Sequence, residues 1–396
     1  MMSRDACLEQ KIGQRLLIGF PGKTMSPEVA ELIRECHIGG VTLFRHNVDG
    51  PSQLRTLIGD LQAVARAAGD PPLLVSVDQE GGRVTRLGHP FTIAPSPMAI
   101  GATGDPWNAE VCASVLASEM AAMGVNLNLG PVLDVNTNPG NPVIGTRSFG
   151  GSPELVTGFG LASLRGHHKG GVLAAAKHFP GHGDTSSDTH LAAPSLGHDW
   201  GRLSSVELVP FVAAIGAGVD AIVTAHVAYP GIEERGWPAT LSRTLLTGLL
   251  RDRLRFGGLI ITDALEMDAI AHRYGVIRGA VLAAKAGADM LMVLGGPRKA
   301  RAVHEALVEA ARSGELPAWE IDSASLRIQE AKRKAALLAV TSSAVSPQGE
   351  QRALATSVQQ VARDAITLVR DQRRWLPLSA SASTRLGIID LHTRHQ

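Results

Sequence analysis

Between Lys177 and His190 the chain reads KHFPGHGDTSSDTH, which brings a lysine, three histidines and two aspartates into one short stretch. Three kinds of chemistry use such a set. His182, Asp184, Asp188 and His190 offer nitrogen and oxygen donors to a divalent metal, and Lys177, His178, His226 and Asp263 fit loosely around the same ion. A loop punctuated by Gly and Pro uses Asp, Ser and Thr side chains to cap its own backbone, and Asp184, Thr185, Ser186 and Ser187 suit that role. The third possibility is a proton relay. Asp188 and His190 stand two residues apart on one turn, so the carboxylate can hold one imidazole nitrogen and leave the other to a substrate.

Such a histidine protonates a leaving oxygen and later takes a proton from water, and it needs a nucleophile opposite. Asp263 directly follows the apolar run GLIIT, where a rigid strand opens into a loop. It is the candidate nucleophile, with N-capping of the next helix as the alternative role. Glu266 and Asp268, one turn on, suit the start of that helix. A carboxylate nucleophile facing an acid/base is the arrangement of a retaining glycosidase. Asp78, Arg86, Arg147, Lys177 and His178 then supply directional contacts to sugar hydroxyls. With aromatic residues at 4% of the chain, stacking platforms for a polymer are scarce, and a small or terminal sugar is expected.

These residues need one scaffold to bring them together. Eight short runs rich in Val, Ile and Leu alternate with amphipathic stretches: LLIGF, GGVTLF, LLVSV, VNLNLGPVLDV, GVLAAAKHF, AIVTAHV, GLIITDAL and MLMVLGG. Eight strands alternating with helices predict an α/β chain folded as a (β/α)8 TIM-type barrel, with an open doubly wound sheet as the alternative. No G-x-G-x-x-G follows the first run, which counts against the open sheet. Polar residues cluster after each run, so one mouth is expected to hold Asp78, Arg86, Arg147, Lys177, His178, His190, His226 and Asp263.

Composition narrows the partners. The 38 Lys and Arg balance 37 Asp and Glu, which gives no electrostatic reason to bind nucleic acid or a membrane surface. Three scattered cysteines, Cys7, Cys36 and Cys112, suit a reducing compartment, and the N-terminus lacks a secretory h-region, so a cytoplasmic location is expected. Residues 1–340 are assigned to the catalytic barrel and 341–396 to a linker with part of a second domain. In the latter, VTSSAVSPQGEQRALA is the linker, TSVQQVARDAITLVRD a helix, RRWLPL a turn and RLGIIDL a strand.

The motifs DQEGGRVTRL, GPVLDVN, GTRSFG, AAAKHFPGHGDTSSDTH, TAHVAYP, PATLS and ITDALEM occur in this order. Over roughly residues 8–340 the chain resembles the β-N-acetylglucosaminidases of glycoside hydrolase family 3. The resemblance implies Asp263 as nucleophile and a His190/Asp188 acid/base dyad on the loop after the fifth strand. It implies sugar contacts from Asp78, Arg86, Arg147, Lys177 and His178, with His226 near the nucleophile, and neither metal nor organic cofactor. It also implies a glycoside or muropeptide substrate, GlcNAc linked to 1,6-anhydro-N-acetylmuramic acid among them. Transfer of the sugar to phosphate, or a metal-dependent hydrolysis on the same fold, are the alternatives. The tail resembles the start of a truncated αβα second domain.

Overall fold

The computed structural model describes residues 4–186, 194–343 and 348–368. The chain divides into a compact unit, Met1–Ala365, and the segment Ile366–Gln396, of which only 366–368 are described.

The eight apolar runs form eight parallel strands: β1 (Leu16–Ile18), β2 (Gly40–Leu43), β3 (Leu74–Val77), β4 (Leu127–Asn128), β5 (Leu173–Phe179), β6 (Ala221–Thr224), β7 (Leu259–Ile261) and β8 (Leu291–Val293). Each pairs with its sequence neighbours, as in Val41 with Val75, Asn128 with Ala174 and Val223 with Ile261, while β8 pairs back onto β1 through Ile18 and Val293. A parallel bridge from Ile261 to Met290 joins β7 to the edge of β8, so the sheet closes into the expected (β/α)8 barrel and no edge is left to cover.

Closure makes side-chain parity decisive, because alternate residues of a strand face the lumen and the helices. Leu17, Leu74, Leu173, Ala175, Leu259 and Ile261 belong to one buried cluster that fills the lumen. Leu16, Ile18, Val75, Ala174, Ala176 and Ile260 belong to a second, packed beneath the helices. The same alternation places Lys177 of β5 on the lumen side, and carried past the ends of β3 and β7 it places Asp78 and Asp263 there at the same mouth. On β2 the inward positions are Gly40 and Thr42, and at Gly40 an added Cβ would lie 2.5 Å from Leu74 O and 2.9 Å from a Leu17 methyl.

The surrounding helices begin and end where the sequence says they should. Ser26 and Ser152 cap Pro27–Cys36 and Pro153–Lys169 by accepting from the N–H groups of Val29 and Leu155. Gly124 and Gly287 end their helices at φ of 93° and 113°.

Beyond the eighth barrel helix the fold differs from expectation. A helix the apolar pattern did not suggest, Ala318–Ser343, presses Ile328, Ala331 and Ala335 against the lumen cluster. It does so at the strands' N-terminal ends, where Lys332 Nζ donates to Gln14 Oε1 (2.6 Å) and Arg327 Nε to Asp289 Oδ1 (2.8 Å). Its outward face exposes Trp319, Leu326, Leu337 and Val340 beside Asp322, Glu330 and Arg333, while Lys332 is buried, and this mixture hid the amphipathic period. The helix expected from residue 356 starts earlier, as Gln348–Asp364, and buries Val358 and Val361 as it packs on Trp107–Met123. RRWLPL and RLGIIDL lie outside the described residues.

Candidate active site

At the C-terminal mouth of the barrel a cavity of about 1010 Å3 opens to solvent, lined among others by Asp78, Arg86, Arg147, Lys177, His178 and Asp263. Leu129, Val223, Met292 and Leu294 form its apolar surface. Six of the residues singled out from sequence thus meet in one space. Asp188 and His190 lie outside the described residues. The chain on either side of them is anchored: Asn141 Nδ2 donates to His182 O (2.8 Å), and Leu196 N–H to Ala228 O (2.9 Å).

Lys177, at the end of β5, reaches Asp78 Oδ1 and Glu80 Oε1, each at 2.6 Å. Arg147 grips Glu80 with both arms, Nε to Oε2 and Nη2 to Oε1 at 2.8 Å. Burial alone would raise the Glu80 carboxyl, but Lys177 and Arg147 outweigh it and hold it well below the usual carboxylate range. Burial likewise pushes the Lys177 ammonium down, and Asp78 and Glu80 more than restore it. Arg86 extends over the Phe44 ring, 5.4 Å from its centroid, and faces Asp78 Oδ2 at 3.6 Å.

His178 Nδ1 lies 2.7 Å from Asp134 Oδ2. A carboxylate only accepts, so Nδ1 carries the proton and Nε2 is left to accept from Arg147 Nη2 at 3.3 Å. Asp134 Oδ1 takes the backbone N–H groups of His178 and His182. Burial opposes its ionisation, and His178 overcomes it, keeping the carboxyl low.

Asp263 differs from these carboxylates. Glu80 and Asp134 have both oxygens engaged, whereas Asp263 accepts one hydrogen bond among the described residues, from Ala264 N–H at 2.7 Å. Burial raises its carboxyl, and His226, His178, the Ala264 N–H and Lys177 together bring it below the ordinary value. It is ionised, half-buried and uncommitted. Its rivals have other tasks: Glu266 accepts the Leu294 and Gly295 N–H groups, and Asp268 opens the helix Asp268–Tyr274.

His226 does not line the cavity. It is buried, with Nδ1 against Thr240 Oγ1 (2.7 Å) and Nε2 donating to Ala264 O (2.9 Å), so it bears on the backbone beside Asp263. Sequence reasoning passed over Glu80 and Asp134, although both sit inside motifs it quoted. Their signal is a carboxylate just past an apolar run, which Asp78 and Asp263 share. Gln79 and Asn128 were missed as well. Asn128 receives the Gln79 N–H (2.9 Å) and donates to Gln79 O (3.0 Å), fixing the backbone between Asp78 and Glu80. The Gln79 amide in turn accepts the N–H groups of Arg86 and Leu87.

Among the described residues no group of three or more His, Cys, Asp and Glu side chains is placed to hold a metal ion. An isolated carboxylate amid fixed cationic donors, at the C-terminal mouth of a closed barrel, belongs to the chemistry of glycoside hydrolases. The sequence profile of the glycosyl hydrolase family 3 N terminal domain matches residues 7–331, and the chain belongs to that family. Beta-hexosaminidase A of Pseudoalteromonas piscicida is 34% identical over 91% of this chain and 68% of its own length. A glycoside hydrolase family 3 β-N-acetylglucosaminidase from Paenibacillus sp. str. FPU-7 superposes with a TM-score of 0.88 at 42% identity, covering 94% of this chain and 70% of that one. NagZ from Neisseria gonorrhoeae, solved with N-trifluoroacetyl-D-glucosamine, superposes at 0.73 with 30% identity, over 88% of this chain and 98% of that one.

Proposed function

We propose that the protein is a retaining exo-β-N-acetylglucosaminidase in which Asp263 is the nucleophile and His190, held by Asp188, is the acid/base. The observation that carries this reading is the Asp263 carboxylate, ionised and free of any salt bridge among the described residues, at a mouth where Asp78 and Glu80 are tied to Lys177. The relatives named hexosaminidase and β-N-acetylglucosaminidase, and the neighbour solved with an N-acyl glucosamine, support the sugar.

In the first step an Asp263 oxygen attacks the anomeric carbon while His190 gives its proton to the departing glycosidic oxygen. The aglycone leaves and a glycosyl ester forms. In the second step His190 takes a proton from water, the hydroxide attacks the same carbon, and the ester bond to Asp263 breaks. Two inversions return the β-anomer. Lys177, Arg147 and Arg86 hold the hydroxyls of the terminal sugar throughout, and the Lys177–Asp78–Glu80 pairing keeps them aimed without substrate.

The aglycone we assign to peptidoglycan fragments, a reading supported by the likeness to bacterial hexosaminidases and by the few aromatic residues available to stack a polymer. Three free cysteines fit work in the reducing cytoplasm, where such fragments would be recycled. The test is hydrolysis of a chromogenic β-N-acetylglucosaminide and of the GlcNAc–anhydro-N-acetylmuramic acid disaccharide by wild type and Asp263→Asn. Release of GlcNAc from both is expected, with kcat falling on the order of 10^4-fold in the variant. A variant as active as wild type would sink the assignment.

A further inference from the structure

His182 is not among the residues assigned a role above, yet its ring lines the same cavity. It is 3% exposed, and its Nε2 is buried with no hydrogen-bond partner among the described residues. Such a group is costly to leave unpaired and points to a ligand or a water that completes it. The rest of the residue is fixed from every side. Its backbone N–H goes to Asp134 Oδ1 (2.7 Å), its carbonyl accepts from Asn141 Nδ2 (2.8 Å), and its ring meets that of His178 edge-on at 5.8 Å. The next residue, Gly183, lies so close to Val135 that an added Cβ would stand 1.9 Å from the Val135 carbonyl oxygen.

The ring's proton can be placed. Nδ1 is 2.8 Å from Thr185 Oγ1, and that hydroxyl donates to His182 O (3.1 Å) while receiving Asn141 Nδ2 (3.2 Å). With its only hydrogen spent, Thr185 Oγ1 accepts from Nδ1–H, and Nε2 is left as a bare lone pair on a ring that lines the cavity. Burial, reinforced by His178 and Arg147 and opposed by Asp134, keeps the ring neutral, with its pKa at about 4.

The cavity is rich in donors and poor in free acceptors. Lys177, Arg147 and Arg86 all donate, Glu80 and Asp134 have both oxygens engaged, Asp78 is drawn to Lys177 at 2.6 Å and to Arg86 at 3.6 Å, and the open oxygen of Asp263 is reserved for the anomeric carbon. A sugar hydroxyl adapts to such a lining because it both donates and accepts. An amide N–H only donates, so a 2-acetamido group brought into this site needs an acceptor of its own. We propose that His182 Nε2 accepts the hydrogen bond of the substrate's acetamido N–H and so reads the substituent that separates N-acetylglucosamine from glucose. The assignment rests on the N-acetylglucosaminidase reading above.

The test compares wild type with His182→Phe, which keeps a ring but has no acceptor, and His182→Gln, whose side-chain carbonyl can accept. Two quantities are read: kcat/KM on an aryl β-N-acetylglucosaminide, and the inhibition constants of free GlcNAc and free glucose in that assay. In His182→Phe, kcat/KM is expected to fall and the GlcNAc constant to weaken by about 10- to 100-fold, with the glucose constant unchanged within about twofold. His182→Gln should recover part of the loss. Equal weakening toward both sugars would overturn the assignment, since the ring would then only shape the site, and so would no change at all, since Nε2 would then only hold a water. A wild-type protein that neither cleaves nor binds N-acetylglucosaminides overturns the proposed function, and this assignment with it.

Discussion

Glu80 shows how much of the site consists of charge held in place before any substrate arrives. Its carboxylate pairs with both Lys177 and Arg147, whose side chains are nearly withdrawn from solvent. Glu80→Gln keeps the shape and removes the charge. Arg147 then lacks its carboxylate, and the expected cost is about 3–5 kcal/mol in urea unfolding, with a raised KM as the two cations lose their aim. Gln79 works one layer back, holding the backbone of Arg86 and Leu87 through its amide. Gln79→Leu is expected to raise KM several-fold with a smaller change in kcat; a split the other way would show that Arg86 acts on the reacting centre instead of binding the sugar.

At the scale of elements, the strands were legible because burial on both faces demands continuous apolar runs, and their alternation assigns Asp78, Lys177 and Asp263 to the lumen. His226 was legible as a histidine past β6 but not as a residue turned behind the nucleophile, because parity no longer holds once the strand has ended and Thr240 and Ala264 claim its ring. The helix Ala318–Ser343 was not legible. It closes the barrel's N-terminal end with the narrow stripe of Ile328, Ala331 and Ala335, and its Arg and Lys reach buried partners such as Asp289 and Gln14. Ile328→Ala should therefore destabilise the protein by about 2–5 kcal/mol in urea unfolding while leaving KM at the opposite mouth unchanged. A KM that shifted with it would mean that the two ends of the barrel are coupled.

For the whole molecule, acid is the condition that tests how the polar interior is built. His167 is buried, with Nδ1–H donating to Ser163 O (2.7 Å) and Nε2 accepting from Asn128 (2.7 Å), and burial holds its pKa at about 4, as for His182. In the unfolded chain both return to the ordinary histidine value of 6.5. Between these values the unfolded state binds more protons than the native one, so stability rises with pH across the interval and is lost as pH falls through it, by roughly 3 kcal/mol for each histidine. The loss should be visible as a falling urea midpoint from pH 6.5 to about 4, and His167→Gln should reduce its slope by close to one proton. An unchanged slope would mean that His167 protonates as readily folded as unfolded. No helix among the described residues is long and apolar enough to cross a membrane.

The claim on which the rest depends is that Asp263 forms a covalent bond to the sugar. The measurement is mass spectrometry of the protein after reaction with a 5-fluoro N-acetylglucosaminyl fluoride, which keeps the acetamido group and slows breakdown of the glycosyl ester. The account predicts one sugar per chain, on the peptide that contains Asp263. A label on a different carboxylate, or turnover of the reagent with no label and with inverted product, would contradict it.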